Sequence, residues 1–465
     1  MEARAALLLG TLIRGICLGV LVCVVFTACG PGSPGVTSGS RRSTPTPSPA
    51  ISAEWTEYHR DAGRSGVGPA EPALTSPVVA WRADVDGDVY ASPLIVNGHV
   101  LVATENNTVY SLDLFTGEVV WQKHLGDPVD ASSLPCGDIG PVTGITGTPA
   151  VDEASGRLYV VAFLRSHHHM LFALSLVNGS VLTQQDIDPV GSTPSVQQER
   201  GALAIGSGFV YVPFGGLYGD CGPYHGYVVA VPLAGGQTLA YRVPSARGAG
   251  IWTAAGPAID ASGNLYVVTG NGLSRSSFDH SNAVIELSPD LQTVKSYFAP
   301  ANWAALNASD ADLGALGPSL LPGAVLAVGK DGVAYMLRAD QLGGIGGQLS
   351  SRALCAGAFG GTARDASSIF IPCTDGLYAL SIGPNGMNPV WHDARPALAS
   401  PIVSAGAVWA IEPGAGMLYA LSEQTGGVLY SVGLGAAMHF STPAATDGFV
   451  VAPAGRKVVA ISVVG

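Results

Sequence analysis

Leu94-Ile95-Val96-Asn97-Gly98-His99-Val100-Leu101-Val102-Ala103-Thr104-Glu105-Asn106-Asn107-Thr108-Val109-Tyr110-Ser111-Leu112-Asp113-Leu114-Phe115-Thr116-Gly117-Glu118-Val119-Val120-Trp121 contains four apolar runs separated by three turns. Asn97-Gly98 between β-branched runs is a strong hairpin signal, because a type I′ turn needs two residues that tolerate positive φ. The stretch therefore reads as a four-stranded antiparallel meander. Its third strand, Val109 to Asp113, ends in a Leu-polar pair that recurs at Leu171–Ser175, Val228–Pro232, Val284–Ser288, Ala334–Arg338, Leu377–Ser381, Leu418–Ser422 and Val458–Ser462. The last residues of these copies lie 62, 57, 56, 50, 43, 41 and 40 positions apart. A small residue followed by Pro or Ala precedes each copy, at Ser92, Thr148, Gly201, Gly256, Gly317, Thr362, Ser400 and Thr442. Two markers in one phase define eight modules.

Four-stranded meanders at this period suit a radial propeller, in which both faces of each sheet bury against neighbouring blades. The last module stops one strand short at Gly465, while Pro77-Val78-Val79-Ala80-Trp81 is one strand too many ahead of the first. Pairing the two closes the ring and covers an open edge. The expected fold is all-β: an eight-bladed β-propeller of four-stranded antiparallel blades, closed by an N-terminal strand.

Composition supports this. The 465 residues are 47% hydrophobic and only 12% charged, with 62 Gly and 32 Pro. Solvated helices and coiled coils need far more Glu, Lys and Arg than that. A net charge of −12 also leaves no basic surface to neutralise phosphates, which excludes a nucleic-acid partner.

The N-terminus carries an address. Arg4 and Arg14 flank a 14-residue apolar run from Gly15 to Ala28, short for a membrane span. Phe26-Thr27-Ala28-Cys29 resembles a bacterial lipobox, whose cysteine is acylated. Residues 1–28 are then a lipoprotein signal peptide, 29–53 a tether rich in Gly, Ser, Pro and Thr, and 54–465 the propeller. The expected location is extracytoplasmic, anchored to the cell membrane through Cys29, or secreted if the lipobox is unused. Cys136, Cys221, Cys355 and Cys373 remain in the folded part, an even number suited to an oxidising compartment. Four cysteines permit three connectivities; the proximity of Cys355 and Cys373 favours Cys355–Cys373 together with Cys136–Cys221.

Tyr110-Ser111-Leu112-Asp113 with Thr116-Gly117 and Trp121 resembles the repeat of pyrroloquinoline-quinone (PQQ)-type propellers, in which the Trp of one blade docks on its neighbour. Trp55 to Gly66 resembles the leading segment of that superfamily. The chain looks closest to its polyvinyl-alcohol-dehydrogenase-like branch. The superfamily includes quinone-dependent alcohol dehydrogenases and cofactor-free scaffolds, among them the lipid-anchored propeller of the outer-membrane barrel assembly machine.

By resemblance to the enzymes, Trp252 in Gly250-Ile251-Trp252 would be the floor beneath the quinone. Asn271 in Thr269-Gly270-Asn271-Gly272 would ligate Ca²⁺, and Lys330 in Lys330-Asp331-Gly332 would contact the quinone. Asp310 or Asp312 would be the catalytic base. Where the enzymes carry a metal-binding Glu, this chain has Asp220-Cys221-Gly222-Pro223-Tyr224-His225, which leaves Asp220 as substitute ligand and His225 as a channel residue. The adjacent-cysteine disulfide of the enzymes and a Cys-x-x-Cys-His haem site are both missing. Ordinary readings stand beside these: Trp252 as a packing residue, Asn271 and Lys330 as turn residues, and the aspartates as caps of a short linker helix. His167-His168-His169 cannot turn three side chains to one ion from a strand and reads as an exposed hairpin.

The function expected is therefore a non-catalytic binding or scaffold protein of the cell envelope, with an envelope protein or polymer as partner. The alternatives are a PQQ- and Ca²⁺-dependent alcohol or polyol dehydrogenase and a carbohydrate or polymer binder.

Overall fold

The computed structural model describes residues 54–69, 72–383, 386–446 and 448–464. The expected signal peptide, Cys29 and the tether lie outside them. Eight antiparallel sheets form the blades. Blade 1 runs Leu94–Val96, His99–Ala103, Thr108–Asp113 and Val119–His124, as the turn chemistry predicted. Its second and third strands are buried almost throughout, while the fourth alternates exposed and half-buried positions. Middle strands that pack on both faces need continuous apolar runs, and only the outermost strand meets water.

Blades 2 to 7 begin with Ala150–Asp152, Ala204–Gly206, Ala258–Ile259, Ser319–Leu321, Ala363–Arg364 and Ile402–Ser404. Blade 8 is built from both ends of the chain. Val78–Asp84 pairs antiparallel with Lys457–Ser462, from Val78 opposite Ser462 to Asp84 opposite Lys457. The inner strand Leu94–Val96 neighbours Ala444–Thr446, so the ring is closed. Two blades depart from four strands: Gln197–Gln198 adds to blade 3, and Gly344–Ile345 runs parallel to Phe298–Ala299 in blade 4.

The tryptophan docking implied by the repeat is present at three interfaces. Trp81 donates its indole N–H to Leu114 O at 2.7 Å, Trp121 to Leu176 O at 3.1 Å, and Trp391 to Glu423 O at 2.7 Å. Each ring lies where a Cβ would stand on Gly117, Gly179 or Gly426 of the next blade, all at positive φ. Gly179→Ala puts a methyl 2.5 Å from Trp121 in a left-handed backbone, and should cost about 1–3 kcal/mol in denaturant unfolding.

Both expected disulfides form, with Cα separations of 6.1 Å for Cys136–Cys221 and 6.3 Å for Cys355–Cys373. The second joins a linker to the second strand of blade 6.

Trp55 to Gly66 acts as a hub. Its groups hydrogen-bond the backbone N–H of Ile95, Val151, Ile205, Ile259, Arg364 and, through Gly66, Val403, each on or beside the inner strand of a different blade. Arg64 ties it down, donating to Glu57 Oε2 at 2.9 Å, Pro257 O at 2.9 Å, Leu203 O at 2.8 Å and Tyr58 O at 3.1 Å. Tyr58 and His59 stack at 4.2 Å, fully buried within the ring. Burial holds the His59 imidazole at about 3, so it stays neutral at any physiological pH.

Candidate functional site

In a meander blade the turn between strands 2 and 3 and the linker to the next blade lie on the same face, opposite the turn between strands 1 and 2. The hub occupies the side of the 1–2 turns, where Glu54 accepts from Asn97 N and Ala405 O accepts from Leu74 N. The other face holds an open cavity of about 440 Å³. Its walls come from linkers (Asp138, Arg200, Trp252, Asp310, Asp312, Phe359, His439, Phe440) and from 2–3 loops (Leu217–Asp220, Tyr224, Asn271, Lys330).

Trp252, Asn271, Asp310, Asp312, Lys330 and Asp220 thus share one cavity. Asp312 is its buried electrostatic centre, with a side chain 5% exposed. Oδ2 meets Lys330 Nζ at 2.6 Å and Oδ1 accepts from the backbone N–H of Asn271 at 2.5 Å. Burial pushes its carboxyl upward against the pull of Lys330. Lys330 is itself raised: burial works downward, but Asp312 and Asp310 outweigh it. Asp310 lies at the mouth, 3.4 Å from the same ammonium and at positive φ.

Glycines make room for this arrangement. A Cβ on Gly270 would crowd Asp312 Oδ1 and the Trp252 indole nitrogen, and one on Gly215 would strike Trp252 Cβ. Neither aspartate caps a helix. The linker helix Trp303–Ala308 ends before them, and Asp312 makes no capping bond to Leu313–Ala315. Asn307 of that helix is a buried scaffold residue, accepting from Gly272 N at 2.9 Å and Asn282 Nδ2 at 2.8 Å.

Opposite Lys330 stands a second ionic cluster. Arg200 donates to Asp138 Oδ1 at 2.7 Å, and His439 Nε2 lies 3.3 Å from Asp138 Oδ2. Burial alone would raise the Asp138 carboxyl; His439 and Arg200 more than offset it and hold it at about 2. Between the clusters lies an apolar floor of Trp252, Phe359 and Phe440, with ring centroids 6.3–6.5 Å apart. Lys330 Nζ sits 5.6 Å from the Trp252 ring and the Arg200 guanidinium 5.8 Å from that of Phe440. Phe440 has φ 64°, a strained conformation for an aromatic residue, and it lines the cavity.

His225 does not line the cavity. Its ring accepts from Arg242 at 2.8 Å, and burial together with that cation lowers its pKa. The histidine run is not a uniformly exposed hairpin: His169 is buried against Asp188, while His168 lies between Asp186 and Asp188.

Arg200, His439, Phe359 and Phe440 carried no motif. A signal was nevertheless available: each precedes a small-Pro or small-Ala marker by one to four residues, the phase also held by Trp252. That phase is the descent of each linker into the central channel.

The closed ring and its tryptophan-docked turns make the chain an eight-bladed β-propeller. The family described as outer membrane protein assembly factor BamB matches residues 78–212. No curated protein matches the chain in sequence. Among similar solved structures, the quinohemoprotein alcohol dehydrogenase of Comamonas testosteroni is 16% identical with a TM-score of 0.69, over 90% of this chain and 81% of that one. A europium-containing methanol dehydrogenase is 13% identical at TM-score 0.69, over 88% and 98%. BamB from Moraxella catarrhalis is 13% identical at 0.58, over 83% and 99%. At these identities the likeness is one of fold, and the fold is shared by dehydrogenases and an assembly factor alike.

Proposed function

We propose that this propeller is a non-catalytic binding protein of the cell envelope, exported and lipid-anchored at Cys29, whose cavity receives an uncharged or cationic ligand with an apolar face. The charge of the walls carries this reading. Four carboxylates (Asp138, Asp220, Asp310, Asp312) line the cavity against two permanent cations, Arg200 and Lys330, each already paired. Hydroxyl groups both donate and accept, so they suit paired acids and bases better than a formal anion does. A polyhydroxyl chain, sugar or polymer, with its C–H face on Trp252 and Phe440, meets these terms.

A second reading, a PQQ- and Ca²⁺-dependent alcohol dehydrogenase, is favoured by the convergence of Trp252, Asn271, Asp310 and Lys330 on one mouth. The residues present fit that cofactor poorly. PQQ is a polycarboxylate, and the lining offers it a net negative charge and no unpaired cation. Asp312 already holds Lys330 Nζ on one oxygen and the Asn271 N–H on the other, so a proton arriving there competes with the ion pair. Calorimetry on the full-length chain should find no binding of PQQ, with or without Ca²⁺, and dye reduction with primary and secondary alcohols should be absent. Dye reduction that requires PQQ and vanishes in Asp310→Asn would replace the binding reading with the enzymatic one.

A further inference from the structure

Behind the wall of the cavity, where blades 1, 2 and 3 meet, two glutamates are buried without a cation. Glu105, in the 2–3 turn of blade 1, is 2% exposed, and Glu199, in the linker to blade 3, is 5% exposed. Both reach the segment Gly144–Gly147 of the linker to blade 2. Glu105 Oε2 accepts from Gly144 N at 2.6 Å and Thr146 Oγ1 at 3.2 Å; Glu199 accepts from the backbone of Gly147. The segment is glycine at those positions for a reason: a Cβ on Gly147 would fall on the Glu199 carboxylate, and one on Gly144 would lie 2.5 Å from Asn107 Oδ1.

Each of the three side chains keeps one oxygen unpartnered. Glu105 Oε1, Glu199 Oε1 and Asn107 Oδ1 are all inaccessible to water and without a hydrogen bond, and Asn107 is 0% exposed. Asn107 is fixed by its other end, Nδ2 donating to Phe163 O at 3.0 Å. Arg200, the cation whose charge reaches Glu105, is committed to Asp138 and Gln198. Three orphan acceptors around one short segment need electron-pair acceptors. A proton on one carboxyl supplies a single donor and a water supplies two, whereas a cation within reach of all three would satisfy them together. Unpaired buried charge of this kind is otherwise strongly unfavourable.

We infer that Glu105, Asn107 and Glu199 form a structural site for a hard divalent cation of the Ca²⁺ class. The donors are all oxygens, two of them anionic, as Ca²⁺ prefers. The ion pins the linkers of blades 2 and 3 to blade 1, and Arg200 of the cavity directly follows one ligand. This site is separate from the cavity residues Asn271, Asp220 and Asp310, and it does not depend on the cavity's ligand.

The test uses full-length protein and CaCl₂ alone. After dialysis against Ca²⁺ and desalting, elemental analysis should find one equivalent per chain. At pH 8 added Ca²⁺ should raise the melting midpoint over chelated protein by about 3 °C or more, and at pH 5, where protons compete, by much less. Glu199→Gln and Glu105→Gln should each lose the bound equivalent and the shift, while Asp310→Asn and Asp220→Asn keep both. Wild-type protein that retains no Ca²⁺ and melts identically with Ca²⁺ and chelator at pH 8 overturns the inference. So does an equivalent lost in Asp310→Asn but kept in Glu199→Gln.

Discussion

Arg64→Ala should destabilise the propeller by about 3–5 kcal/mol. The side chain is 3% exposed and Glu57, its partner, 6%. Removing the guanidinium leaves a carboxylate inside the ring with no counter-ion, and strips donors from the carbonyls of Tyr58, Leu203 and Pro257. Those carbonyls belong to the hub and to blades 3 and 4, so the loss spreads from one ion pair to the seating of the whole segment. Arg64→Lys should recover only part of it, because an ammonium cannot present the planar fork that reaches Glu57 and three separate carbonyls. Arg64→Met combined with Glu57→Met should lose less than Arg64→Ala alone, since the uncompensated charge goes with its partner. Denaturant midpoints of the three variants and the wild type measure this ordering. A double variant as unstable as the single would show that the carbonyls, rather than the buried charge, dominate.

The ring was legible in the sequence because a propeller repeats one local problem. Each blade needs a tight turn, two fully apolar strands and a half-exposed outer strand, and Asn97-Gly98, His99–Ala103 and Val119–His124 state those needs in order. Closure was legible for a related reason: an unpaired strand at each end is costly, so a surplus at Val78 and a deficit at Ser462 imply one another. The cavity was only half legible. Trp252, Asn271, Asp312 and Lys330 sit in stretches whose spacing is local, whereas Arg200, Asp138 and His439 meet across three different linkers. No periodicity reports a contact between residues 138 and 439, because it depends on the ring being closed. His225 shows the opposite failure. Its loop supplies cavity residues, but Arg242 of the adjacent strand holds the ring away from them. The buried glutamates escaped notice because Glu105 lies in what reads as an ordinary polar turn. Only packing shows that this turn points inward.

Those glutamates give the chain an uncommon pH response. With cation chelated, stability should fall as pH rises from about 4.5 to about 7. Burial raises the Glu105 carboxyl to about 7 from an ordinary 4.5, despite the Gly144 and Thr146 bonds that favour its charged form. Glu199 moves the same way, through burial and then through the charge of Glu105. Between those limits the folded chain holds protons that the unfolded chain has released. The stabilisation is therefore complete below the unfolded value and is lost as pH passes through the folded one. For Glu105 alone the shift corresponds to roughly 3 kcal/mol at 1.36 kcal/mol per pH unit, with Glu199 adding in the same direction. The paired Asp138 pulls oppositely only in strong acid, its carboxyl titrating near 2, and the buried His59, held at about 3, pulls oppositely up to about 6.5, where the raised Glu57 offsets much of it. Denaturant midpoints at pH 5, 6, 7 and 8, at constant ionic strength and in chelator, should decline steadily, and Glu105→Gln should flatten the decline. Adding Ca²⁺ should flatten it as well, because the ion then occupies the oxygens that protonation would otherwise neutralise. A midpoint that rises across this range would mean that the fold stabilises both carboxylates in their charged form, contrary to the burial of Glu105 and Glu199.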